Sequence, residues 1–208
     1  MSSVIEVQPP EIQNAPSTVD QPLRHRWTIA DYFRMGEVGL LDPQERVELI
    51  EGDIIEMAPI GNEHAGRVDR LNRLLNRRLS DFAIVRVQNP ILLDERNAPE
   101  PDLAILRFRD DFYETAHPTT SDVLLLIEVS DSTARFDRHT KAPLYARHGI
   151  AEFWLLDLTR QQLEIYRDPQ DGQYRQVGEH PSGTVSPLAF PDIAIDLTDL
   201  FPGQKTAP

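Results

Sequence analysis

The chain has no cysteine, which removes disulfides, thiolate metal ligands and cysteine nucleophiles from consideration. Any metal must be held by oxygen or imidazole donors, so a hard cation such as Mg2+ or Mn2+ is the default. Long apolar runs are missing as well. The longest falls far short of the roughly 20 residues needed to cross a bilayer, and the first residues lack the basic-then-apolar order of a secretory signal. The expectation is a cytoplasmic protein. Positive charge is scarce: 21 Lys and Arg stand against 34 Asp and Glu, for a formal net charge of −13. That balance opposes broad adhesion to nucleic acid, which depends on neutralising phosphates. No repeat and no recognisable DNA-reading module is present. At 208 residues the chain suffices for one domain with a sizeable core and is too short for two of ordinary size.

Residues 1–25 are polar and contain Pro9, Pro10, Pro16 and Pro22 without a helical or strand period, so a disordered tail is expected there. A folded domain over 26–203 and a short tail at 204–208 complete the organisation. Thr28 is placed to cap a helix from Ile29 to about Met35, with Asp31 completing a capping box and Gly36 and Gly39 ending it. Glu51-Gly52-Asp53, between Val47-Leu49 and Ile54-Met57, predicts a hairpin turn with Glu48 on its first strand. Val68, Leu71, Leu74, Leu75 and Leu79 recur at helical spacing, predicting an amphipathic helix over 64–79. Its polar face carries Arg67, Arg70, Arg73, Arg77 and Arg78. Segments 83–87, 90–93, 103–106 and 123–129 read as strands of a central sheet, followed by a helix over 137–148 closed by Gly149. Strands over 152–158 and 162–167, a turn at 168–172 and short edge-like pieces over 185–195 follow. The order predicts an α/β sandwich with a mixed central sheet flanked by helices, preceded by an N-terminal helix and β-hairpin.

Two acids stand out against this frame. Asp102 follows Pro101, and Glu128 ends the apolar run Val123-Leu124-Leu125-Leu126-Ile127. Acids delivered at the ends of two apolar strands can hold a divalent metal, as in a nuclease-type site. A carboxylate directly after five apolar residues is near-buried, which is costly unless it is paired or metal-bound. Plainer readings stand beside the functional ones. Asp102 can serve as a turn or strand-entry residue, Glu48 as a solvated hairpin acid, and Lys141 as the partner of Asp137 in a surface helix pair. His64 can be a cap or packing residue, the five arginines a solvated face or a phosphate track, and Phe153 and Trp154 core residues.

Glu48-Leu49-Ile50-Glu51-Gly52, His64, Pro101-Asp102-Leu103-Ala104-Ile105 and Ile127-Glu128-Val129-Ser130-Asp131-Ser132-Thr133-Ala134 occur in this order. They are followed by Asp137-Arg138, Lys141, Tyr145-Ala146 and Gly149-Ile150-Ala151-Glu152-Phe153-Trp154-Leu155-Leu156-Asp157. The succession, across residues 27–201, resembles the Uma-two family, a large bacterial group of predicted endonucleases with the PD-(D/E)xK restriction-endonuclease-like fold. The resemblance implies Asp102 and Glu128 as metal ligands, with the Val129 carbonyl and Glu48 as further ones, for Mg2+ or Mn2+. Ser130 occupies the usual lysine slot and cannot supply a cation, so the resemblance assigns the catalytic lysine to Lys141 on the next helix. His64 matches a family position suited to a phosphate or site contact. DNA as substrate and a homodimer follow from the same resemblance. A reading from another class stays open: a catalytically inactive fold acting as a protein-interaction or regulatory module. The position of Lys141 discriminates the two.

Overall fold

The computed structural model describes residues 24–42 and 44–201. The expected N-terminal tail lies outside them save for Arg24 and His25, as does the whole of the expected C-terminal tail. Thr28 opens α1 (Ile29–Glu37): its hydroxyl accepts from the Asp31 N–H, and the Asp31 carboxylate accepts from the Thr28 N–H. Two otherwise orphaned donors are thereby satisfied. The helix runs through Gly36 before ending. β1 (Val47–Ile50) and β2 (Asp53–Glu56) form the predicted hairpin, with φ of 51° at Glu51 and 75° at Gly52. A two-residue turn matching strand twist needs both angles positive, and glycine takes the second without strain. A Cβ at Gly52 would also lie 2.8 Å from Arg26 Cβ, because the chain entering α1 crosses the turn there.

Six strands form the central sheet in chain order: β3 (Ala83–Val87), β4 (Leu103–Arg107), β5 (Val123–Ser130), β6 (Glu152–Asp157), β7 (Gln162–Gln170) and β8 (Gln173–His180). All neighbours are antiparallel except β5 and β6, which are parallel, so the sheet is mixed as expected. Parallel neighbours need a crossover. It is the helical stretch formed by α3 (Ala134–Phe136), a π-helical turn (Asp137–Lys141) and α4 (Ala142–Arg147). Pro143 has no N–H, and its ring crowds the carbonyl four residues back, which accounts for the wider turn before it. Gly149, at φ 72°, lies just past the end of this stretch.

Strand alternation sorts the core onto the two faces of the sheet. On one face α2 (Asn62–Leu79) packs Val68, Leu71, Leu75 and Leu79 against Leu103, Ile105, Leu125, Ile127 and Trp154. On the other, α4 packs Leu144 and Tyr145 against Ala104, Leu106, Leu126 and Phe153. Each fully buried Leu contributes about 2 kcal/mol by area, and Leu75→Ala in the middle of the α2 face costs about 3 kcal/mol.

Three segments depart from expectation. Residues 90–93 make only an isolated bridge, Leu92 to Thr119, rather than a strand of the sheet. The expected turn at 168–172 contracts to Asp171-Gly172, because β7 continues to Gln170 and pairs with β8. The segment 185–195 forms no edge of the central sheet: β9 (Thr184–Val185) and β10 (Ile195–Asp196) pair with each other, ahead of the short α5 (Leu197–Leu200). Among the described residues no helix is long and apolar enough to cross a membrane.

Candidate active site

The antiparallel register of β4 and β5 pairs Leu103 with Ile127, which sets Asp102, one step before β4, opposite Glu128. Both side chains fall on the α4 face. The Asp102 N–H donates to Glu128 Oε2 at 3.3 Å, and the Val129 N–H donates to Asp102 Oδ2 at 2.9 Å. His64 Nε2 lies 3.0 Å from Asp102 Oδ2, and the Gln88 amide donates to Oδ1 at 3.0 Å. Asp102 does stand at the entry to β4, and it is buried there: Asp102 and Glu128 are 5% and 3% exposed.

Lys141 is buried and does not point into bulk solvent. Its Nζ donates to Glu128 Oε1 at 3.0 Å and lies 3.1 Å from Glu48 Oε2. Its side chain is 4% exposed, so an ordinary surface pair with Asp137 is excluded. Glu48, on β1, is buried rather than solvated and also accepts from the Glu100 N–H at 3.1 Å. Tyr145 OH, one turn beyond Lys141, donates to Glu128 Oε1 at 2.8 Å. Asp137 is buried and accepts from the Thr133 hydroxyl at 2.9 Å. The π-helical turn thus brings Asp137 and Lys141 inward together. The structure gathers Asp102, Glu128, Lys141, Glu48 and His64 at one cleft of about 280 Å3, which Val129 also lines.

Electrostatically this cluster is short of positive charge. Burial pushes the Glu128 carboxyl up to about 8; Lys141 opposes the rise, while Asp137, Asp102 and Glu48 add to it. Burial likewise raises Asp137 against the opposing charge of Lys141. For Lys141 burial acts downward, but Glu128, Glu48 and Asp137 outweigh it and hold the ammonium well above the usual lysine range. Asp102 is also pushed up by burial, yet His64, the Gln88 amide and the Val129 N–H outweigh this and keep it below the ordinary carboxylate range. The hydrogen bond to Asp102 raises His64 in turn, against burial. Four acids around one lysine, two of them raised so that they hold their protons more readily, form a cluster of hard oxygens with acids in excess over bases. A divalent cation such as Mg2+ fits it in both respects. Among the described residues, however, no three Asp, Glu or His side chains stand close enough to make a ready-formed ligand set.

Sequence reasoning left three participants without a role. Asp137 stood among the residues of the resemblance and four before Lys141, a spacing that a surface pair explains equally well in an α-helix. Tyr145 stood among the residues of the resemblance, with nothing to say that its hydroxyl faces Glu128. Gln88 carries no signal beyond following a strand; its φ of 47° turns it back toward Asp102.

Comparison with known proteins agrees with this architecture. No curated protein matches the chain. Among solved structures it resembles "a putative nuclease belonging to DUF820" from Anabaena variabilis, at 19% identity and a TM-score of 0.65, over 84% of this chain and 97% of that one. That likeness establishes the shared fold. The type IIG restriction endonuclease BpuSI matches at 15% identity and a TM-score of 0.34, over 57% of this chain and 14% of that one, too distant to argue from. Residues 29–198 match the model of the Uma2 family, described as "putative restriction endonuclease", and the chain belongs to that family.

Proposed function

We propose that the chain is a metal-dependent nuclease hydrolysing DNA phosphodiester bonds, with Asp102, Glu128, the Val129 carbonyl and Glu48 holding Mg2+ or Mn2+ and Lys141 as the displaced lysine. The observation that carries this reading is Lys141, delivered from the crossover helix into the carboxylates that Ser130 cannot serve. A bound divalent ion would polarise the phosphate, lower the pKa of a water and stabilise the leaving oxygen. The residues divide the remaining work. Asp102, kept ionised by His64 and Gln88, is the acid ready for a cation at neutral pH. Lys141 keeps its proton, so it holds water and offsets negative charge as a donor rather than acting as a base. His64 stands at the cleft as a contact for phosphate. A domain over 26–203, a two-fold homodimer and a cytoplasmic site of action belong to the same reading.

One observation favours a second reading, a non-catalytic interaction module. Lys141 already neutralises two of the carboxylates, and no ready-formed ligand set exists among the described residues. Plasmid and single-strand cleavage in Mg2+ and Mn2+ separates the two. The nuclease reading expects cleavage by the wild type and its loss in both Asp102→Ala and Lys141→Ala. Cleavage unchanged in both variants, or absent from the wild type in every metal, favours the module.

A further inference from the structure

We infer that the cleft takes one nucleotide of a single strand, with Arg46 holding its phosphate and Ile55, Met57, Ile60 and Phe136 receiving its base. This rests on the nuclease reading and names its substrate class. Arg46 stands just before β1, two residues from Glu48, so strand alternation turns both toward the cleft they line. Its Nη2 is buried and meets no hydrogen-bond partner. Lys141 and Arg138, by contrast, are each committed to buried acids. A buried guanidinium N–H left unpaired is costly, and its planar fork suits a phosphate. His64 Nδ1 is a second buried nitrogen without a partner on the same cleft. An otherwise acidic cleft therefore carries two idle nitrogens suited to an anion.

The shape selects a single strand. Glu48, Asp102, Glu128 and Lys141 are all 5% exposed or less, and the cleft of about 280 Å3 lies at the bottom of the range for small-molecule sites. That volume suits a nucleoside-sized group and not a duplex. The apolar wall includes Ile60, which is 40% exposed, and the half-buried Phe136. A duplex keeps its bases stacked inside and can offer one to this wall only by extruding it, whereas a single strand has bases free to stack. The net charge of −13 also disfavours a long track of phosphate contacts but permits one or two.

Fluorescence anisotropy with a labelled oligonucleotide tests this without cleavage, in EDTA and in Ca2+, using single-stranded DNA, single-stranded RNA and a duplex of the same sequence. The expected result is single-strand binding about tenfold tighter than duplex binding, with a shallow salt dependence, a log–log slope of about −1. Arg46→Met should weaken it about tenfold, Arg46→Lys less, and Ile60→Ser about fivefold, with melting temperatures confirming that each variant folds. Duplex bound as tightly as single strand, or folded Arg46→Met binding like the wild type, overturns the inference. If that happens while Asp102→Ala still abolishes cleavage, the nuclease reading survives. Single-strand binding through Arg46 without cleavage in any metal upholds the cleft's ligand and overturns the nuclease reading instead.

Discussion

Lys141 and Arg138 leave the same π-helical turn three residues apart, and each meets buried acids, yet the two clusters differ in electrostatic balance. Arg138 donates through Nε and Nη2 to Glu164, at 2.6–3.1 Å, and its Nη2 also pairs with Asp157. The Tyr166 hydroxyl adds a donor to Glu164 at 2.6 Å. Burial pushes Glu164 up, but these partners outweigh it and hold the carboxyl below its ordinary value. Around Lys141 the outcome is reversed, with Glu128 pushed up to about 8. Buried acids alone therefore do not mark a site. Matched by a fork of donors they staple β6 and β7 to the crossover helix; left in excess over one ammonium they stay unbalanced, as the proposed cation site requires.

The largest effect that would break this contrast is on cleavage. Lys141→Ala should lower the rate of single-strand DNA cleavage by about 10²–10³-fold. Arg138→Ala should instead destabilise the protein by about 3 kcal/mol in urea unfolding, leaving the rate per folded molecule unchanged. Similar losses of rate in both variants would erase the distinction.

Next in size is pH dependence without metal. Glu128, raised from 4.5 to about 8, contributes stability that is fully present below about 4.5 and is lost as pH rises through about 8. His64, raised above 6.5, works in the same direction. Asp102, held below 3.8, contributes stability present above that value and lost only as pH falls below it. The melting temperature of the wild type should therefore fall between mildly acidic pH and about pH 8, and Glu128→Gln should flatten that fall. A wild-type melting temperature that climbs across this window would contradict the account.

The smallest effect is of opposite sign in the two clusters. Asp137→Asn removes surplus charge and should raise the melting temperature at pH 8 by about 2 °C, whereas Asp157→Asn should lower it by more. Calorimetric scans of the two variants read the signs directly.

Much of this arrangement was legible in the sequence because local chemistry and tertiary structure agree there. The Thr28–Asp31 capping box, the Glu51-Gly52 turn, the Leu71–Leu75–Leu79 stripe and Gly149 each carry their own signal. So does Glu128, whose place after five apolar residues already implied burial. The failures have physical causes. β8 (Gln173–His180) is an edge strand with Tyr174 and Val177 as its apolar residues, so it shows no period, and its pairing depends on β7. Residues 90–93 look like a strand by composition, but their backbone partners are loops at Asn97, Pro99 and Pro118. The π-helical turn escapes a reading based on α-helical spacing, and with it the inward turn of Asp137. One signal lay unused: the chain has only two lysines, Lys141 and Lys205, so the cation at the site is a lysine in a protein that otherwise relies on arginine. Its compact ammonium, a point charge with three donors, meets two carboxylates, Glu128 and Glu48, without the fixed geometry of a planar fork.

Calorimetric titration of Mn2+ into the wild type, Glu128→Gln and Glu164→Gln tests the central claim most directly. The account predicts a saturable binding event that Glu164→Gln retains and Glu128→Gln loses, stronger above pH 8 than below pH 6 because Glu128 must release its proton. Absence of binding in the wild type, or equal binding in the two variants, would contradict it.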